Sequence, residues 1–176
     1  EVSPPGSDIK AGDDFYNYNV LVGMASVRAE WSINGAPGKS SEGYGYVDKL
    51  RSTAMPAEVA DYWVRFRALQ DKGILVVGRI PVDGSKADLW YWRPGVDEKP
   101  TEGVSLNLGG AEKGAEVYSI KLDLGAAGRL ELDSGKEIFR YAPVEKFGWL
   151  GIFAKAVVGN PVTRTFRPAV RIPAGS

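Results

Sequence analysis

The sequence predicts an all-β domain, an antiparallel barrel of about eight to ten strands. Three observations predict it. Twenty-two Gly and eleven Pro residues punctuate short runs rich in aromatic and β-branched side chains. Between Asp61 and Leu69 apolar and polar residues alternate with a period of two. Asn34-Gly35 is a hairpin signal, because both central positions of a type I′ turn need positive φ. Closure into a barrel would remove exposed strand edges, and about eight strands just enclose one small ligand.

Taken in order, residues 1–14 read as a flexible entry segment, since Glu-Val-Ser-Pro-Pro-Gly-Ser opposes regular structure. Residues 15–176 read as one β-barrel domain. A first strand is expected over Val20–Ile33 and a second over Gly43–Asp48. In Asp61–Leu69, Tyr62, Val64, Phe66 and Ala68 fall on one face and Trp63, Arg65 and Arg67 on the other. Asp71-Lys72-Gly73 turns the chain into the apolar run Ile74–Ile80, and Asp83-Gly84-Ser85 turns it into Ala87–Trp92. Further strands are expected over Gly103–Leu108, Glu116–Leu124, Arg129–Leu132 and Glu137–Tyr141, with Asp133-Ser134-Gly135 as a turn between the last two. Trp149–Val158 is apolar without alternation, which fits either a short helix closing one barrel end or a buried strand. Val162–Ile172 is the final strand.

Composition narrows the chemistry. A chain of 176 residues suits one domain with a core of its own. Lys and Arg total 22, as do Asp and Glu, so the zero net charge gives no electrostatic reason to expect nucleic acid or an anionic membrane. No apolar run approaches the ~20 residues that span a bilayer, so no transmembrane segment is expected. Absence of Cys excludes disulfides and thiolate chemistry, and absence of His removes the common triad and metal ligand. No metal and no nucleotide cofactor is expected. The start at Glu1 fits a removed signal peptide or a longer parent chain, and the composition suits cytoplasm or periplasm equally.

One strand draws the chemistry together. In Gly43–Lys49, Tyr44, Tyr46 and Asp48 share a face. An Asp flanked by phenols on an apolar wall would be desolvated and held protonated as an acid near neutral pH. The alternative has this face outward, with Asp48 paired to a surface base. Arg65, beside Trp63 and Arg67, offers a planar fork of donors for a carboxylate or enolate, or else lies toward solvent. Trp90 and Trp92 share a face and line either a ligand site, a sugar-stacking surface or a core cluster.

Three stretches carry a resemblance: Tyr18–Gly35, Gly43–Asp48, and the pattern from Arg140-Tyr141 to Pro161–Arg164. The chain resembles the lipocalin-like carotenoid hydratases (the hydroxyneurosporene synthase group), which look akin to fungal lipocalin-type pericyclases. It departs from them after Asp48, where Lys49-Leu50-Arg51-Ser52 replaces the family's Asn-Trp-Gly continuation. The resemblance implies a lipocalin-like (calycin) barrel and cofactor-independent hydration or cyclisation of a polyene-, polyketide- or isoprenoid-like molecule. It implies Asp48 as the acid, with Tyr46 beside it. Family members tend to carry two β domains, which implies a C-terminal half whose N-terminal partner domain is missing, or a compact relative. Two other functions fit the residues: a carrier that leaves a hydrophobic ligand unchanged, and a carbohydrate-binding β-sandwich.

Overall fold

The computed structural model describes residues 7–68, 73–110, 116–158 and 162–171. Among them the chain forms eleven strands: β1 (Asp8–Ala11), β2 (Asp14–Trp31), β3 (Lys39–Ser52), β4 (Tyr62–Ala68), β5 (Ile74–Ile80), β6 (Asp88–Trp92), β7 (Thr101–Glu102), β8 (Ser105–Gly109), β9 (Ser119–Asp123), β10 (Arg129–Tyr141) and β11 (Thr163–Arg171). Two short helices join them, α1 (Pro56–Val59) and α2 (Gly151–Val158). Every pairing is antiparallel.

The ladders form three separate sheets, ordered β1-β2-β3, β4-β5-β6-β7 and β11-β10-β9-β8. The all-β, antiparallel expectation stands, but the sheets do not close into a barrel. They stack in layers around two cores. Tyr16, Tyr18 and Val20 of β2 pack against Leu75, Val77 and Trp90 of the second sheet. The opposite face of the second sheet, with Val64, Val76, Leu89 and Tyr91, packs on Leu106, Leu122 and Leu132 of the third. The sandwiched sheet explains why Ile74–Val77 is apolar throughout: Leu75 and Val77 face one core and Val76 the other.

Local chemistry sets the joints. Asn34 and Gly35 have φ of 52° and 74°, and Ala36 N–H donates to Ile33 O at 3.0 Å, as the hairpin signal required. The strands on either side are longer than expected, since β2 begins at Asp14 and β3 runs to Ser52. Asp8–Ala11, in the stretch read as flexible, pairs with Asp14–Asn17. Pro56 starts α1, and the Glu58 carboxylate accepts from Met55 N–H at 2.7 Å, capping the helix that leads from the first sheet to the second.

Asp133-Ser134-Gly135 is not a turn between two strands. It is a bulge in one continuous strand, β10, where the register against β11 slips between Asp133 and Lys136. Gly135 supplies the positive φ of 56° that the bulge needs. Trp149–Val158 resolves as helix from Gly151, after a 3₁₀ segment over Pro143–Leu150. That helix sits at the end of the β10–β11 hairpin and closes no barrel. The expected turn at residues 71–72 lies outside the described residues.

Candidate functional site

The first core meets water along one seam between the first two sheets, and polar groups gather there. Period-two alternation on β2 turns Tyr16 and Tyr18 inward while Asn17 and Asn19 share the opposite face. On β3 the same alternation brings Tyr46 and Asp48 to the inner side. On β4 it puts Trp63, Arg65 and Arg67 on one face, as the sequence indicated, and that face is turned toward them.

Asp48 is the hub. Its carboxylate accepts a hydrogen bond from the Tyr46 hydroxyl. The Tyr46 and Tyr18 hydroxyls lie 2.6 Å apart. With the Tyr46 proton directed at Asp48, Tyr18 is the donor in that second bond. Arg65 Nη1 and Arg67 Nη2 stand 3.7 and 3.9 Å from Asp48 Oδ2, near enough for Coulombic attraction. The guanidinium of Arg65 lies over the Tyr18 ring at 4.9 Å, and that of Arg67 over the Tyr46 ring at 4.4 Å. Arg65 Nη2 also donates weakly to the Tyr16 hydroxyl at 3.4 Å. The Asp48 side chain is 27 % exposed, so it sits neither in a sealed pocket nor in bulk water.

Aromatic rings form the floor. Tyr16 stacks on Trp63 with centroids 4.8 Å apart, and Tyr18 lies tilted on Trp90 at 5.9 Å. The Trp63 indole N–H is buried without a hydrogen-bond partner among the described residues. Burial pushes the Tyr18 phenol well above its ordinary pKa, and the Asp48 charge adds to the rise against an opposing Arg65. Burial raises Tyr16 as well, again against Arg65. Both phenols therefore remain protonated hydrogen-bond donors at neutral pH.

Among the described residues the space behind this cluster is filled. The gap between Tyr18, Tyr46, Phe66 and Trp90 measures about 10 Å³, room for one water. A larger open groove, about 260 Å³, lies beside Asp8, Phe15, Asn17 and Arg51, away from the expected site residues.

Of those residues, Asp48, Tyr46, Arg65, Trp63 and Trp90 come together at the seam. Tyr44 does not join them: it is exposed farther along β3, opposite Ser26. Trp92 is occupied structurally, packing against Gly23 and donating its indole N–H to Asp97 O at 2.9 Å. Neither Trp90 nor Trp92 lies flat on the surface as a sugar platform would, Trp90 being buried and Trp92 half-buried. Tyr16 and Tyr18 were not singled out from the sequence, yet they complete the cluster. The signal for them was the alternation Phe15-Tyr16-Asn17-Tyr18-Asn19-Val20.

Comparison with protein-family models, curated proteins and solved structures finds no match to this chain. The seam itself must carry the reading. It offers two guanidinium groups and three phenols against one carboxylate, which is an excess of donors and of positive charge beside aromatic walls. Such a site can hold an anionic or electron-rich oxygen and lay an apolar body along the rings.

Proposed function

We propose that the protein binds a hydrophobic small molecule through an acidic, oxygen-bearing end, held at the seam by Arg65 and Arg67. The observation that carries this reading is the imbalance around Asp48. One carboxylate faces two guanidiniums, at 3.7 and 3.9 Å, too long for either to be saturated by it. A ligand carboxylate or enolate would occupy the donors left over. Leu50, half-exposed on β3 opposite Tyr18, flanks the polar cluster and offers apolar surface for the rest of the molecule.

The ligand class, polyene- or polyketide-like, is the one the sequence resemblance implies, and no matched family or structure adds to it. Conversion of the bound molecule, by hydration or cyclisation without a cofactor, extends the proposal. In that step Tyr46 and Asp48 would orient the reacting oxygen or alkene by proximity. Binding at a seam between open sheets takes the place of binding in a lipocalin-like lumen, because the sheets do not close and the gap behind the seam is about 10 Å³.

A fluorescent polyene fatty acid and its methyl ester test the binding step. Trp63 and Trp90 lie at the seam, so energy transfer from them to the polyene reports its arrival. The acid should bind about tenfold more tightly than the ester, and Arg67→Ala should abolish that preference. Equal affinity of acid and ester in the unaltered protein would sink the proposal. Asp48→Asn then separates the two parts, because a carrier retains its ligand unchanged whether or not the carboxylate is present.

A further inference from the structure

The β10–β11 hairpin ends in a segment that the seam does not use. Beyond the last pair, Tyr141–Thr163, the chain forms the 3₁₀ segment and α2, which pack mainly against each other. Within seven positions this tip displays Phe147, Trp149, Leu150, Ile152 and Phe153, at 60, 73, 50, 72 and 65 % exposure. Soluble surfaces seldom leave five large apolar side chains this open in one place. Trp149 and Phe153 meet edge-to-face with centroids 6.4 Å apart, so the two rings form one continuous apolar surface.

Charge selects the occupant. The chain's net charge is zero, and near the tip Arg140 is paired with Glu145 and Arg164 with Glu116 and Glu137, which leaves Lys146 and Lys155 as the charges the tip itself presents. Glu145 is engaged by both terminal nitrogens of Arg140, at 2.7 and 2.8 Å. No carboxylate stands within ion-pair distance of Lys146 or Lys155 among the described residues. A second copy docked tip to tip would set these lysines against their own counterparts, and like charges disfavour such an interface. An anionic lipid headgroup layer meets both features at once: lysines at the phosphates, Trp and Phe at the headgroup boundary, aliphatic side chains just below.

The geometry points to the tip of the β10–β11 hairpin as a docking surface for an anionic lipid bilayer. α2 is eight residues long, and no helix of the described residues is long and apolar enough to cross a membrane, so the tip would rest in the interface rather than span. The apolar side chains supply insertion and the lysines supply the preference for anionic lipid.

Co-sedimentation with vesicles tests this directly. Two preparations are compared, phosphatidylcholine alone and phosphatidylcholine with about 30 % phosphatidylserine, against which each lysine is worth about fivefold. The protein should therefore bind the anionic vesicles about 25-fold more tightly than the neutral ones. Trp149→Ser with Phe153→Ser should lower binding to the anionic vesicles by more than about tenfold. Lys146→Glu with Lys155→Glu should erase the preference for anionic lipid. All four side chains are exposed or carry solvent-facing charge, so the urea midpoints of both variants should match the parent and exclude misfolding. Failure of the protein to sediment with anionic vesicles, or equal sedimentation of the serine variant, overturns the proposal. A concentration-dependent dimer that the serine variant cannot form would assign the surface to a second copy instead.

Discussion

Raising the pH above that of ordinary phenol ionisation should weaken the fold through Tyr18. In the unfolded chain this phenol loses its proton near pH 10. In the folded protein, burial and then the negative charge of Asp48 keep the proton in place well beyond that point. Above about pH 10 the native state thus holds a proton the unfolded state has released, and stability falls as pH rises. At about pH 11, one unit above the ordinary value, the loss through Tyr18 alone is about 1.4 kcal/mol. Tyr16, raised by burial against Arg65, adds a loss of the same sign. Below the ordinary phenol range neither contributes to the pH dependence. The assay is urea unfolding near neutral pH and at about pH 11, on the parent and on Tyr18→Phe, which deletes the titration and leaves the ring. The variant should lose about 1.4 kcal/mol less than the parent across that interval, which also subtracts the titration of lysines. Identical losses in the two proteins would mean that Tyr18 ionises normally in the native state. The seam would then be open to water, and the donor excess on which the binding proposal rests would be hydrated away.

Gly23→Ala should destabilise by about 1–3 kcal/mol, because the added methyl would run into the Trp92 indole and the Pro94 ring, and urea midpoints measure it. Leu122→Ala should cost about 2–5 kcal/mol, since Leu122 is 1 % exposed at the centre of the second core, and an unchanged melting curve would refute that packing. Asp97 is held below the usual carboxylate range by hydrogen bonds from Arg93, so its stabilisation is present above the ordinary Asp pKa and fades as pH falls through the lowered one. Asp97→Asn should therefore flatten the acid limb of the stability profile. A Tyr18→Phe, Tyr46→Phe double-mutant cycle should show coupling of about 1 kcal/mol through the 2.6 Å hydroxyl contact, and strict additivity would deny that bond.

Individual strands were legible in the sequence because period-two alternation is a local signal. The faces of β4 and the limits of β5 read directly from Asp61–Ile80, and Trp90 and Tyr91 fall on opposite faces of β6 as their spacing required. How strands join into sheets was not legible, since pairing partners carry no fixed spacing. The β10 bulge shows the difficulty: Asp133-Ser134-Gly135 has turn chemistry, yet Leu130 and Leu132 pair with β9 while Glu137 and Arg140 pair onward with β11, so the strand continues. At the site, Asp48 and Tyr46 were visible through their shared face. Tyr16 and Tyr18 were not, because placing the first strand at Val20 cut them off from the alternation that orients them.

The layered arrangement accounts both for the filled space behind the seam and for the position of the polar cluster. A middle sheet covered on both faces must present apolar side chains in both directions, which β5 does from Leu75 to Val77. Charged side chains on that sheet can reach water only at its margin. β4 is an edge strand of the middle sheet, and Arg65 and Arg67 on it extend across to the first sheet at 34 and 41 % exposure. Two cations at such a margin need a counter-charge from the opposing layer, and Asp48 on β3 is placed to provide it. One carboxylate for two guanidiniums leaves the seam with a net positive charge, which water solvates at this exposure. Under the proposal, an anionic ligand takes the place of that water.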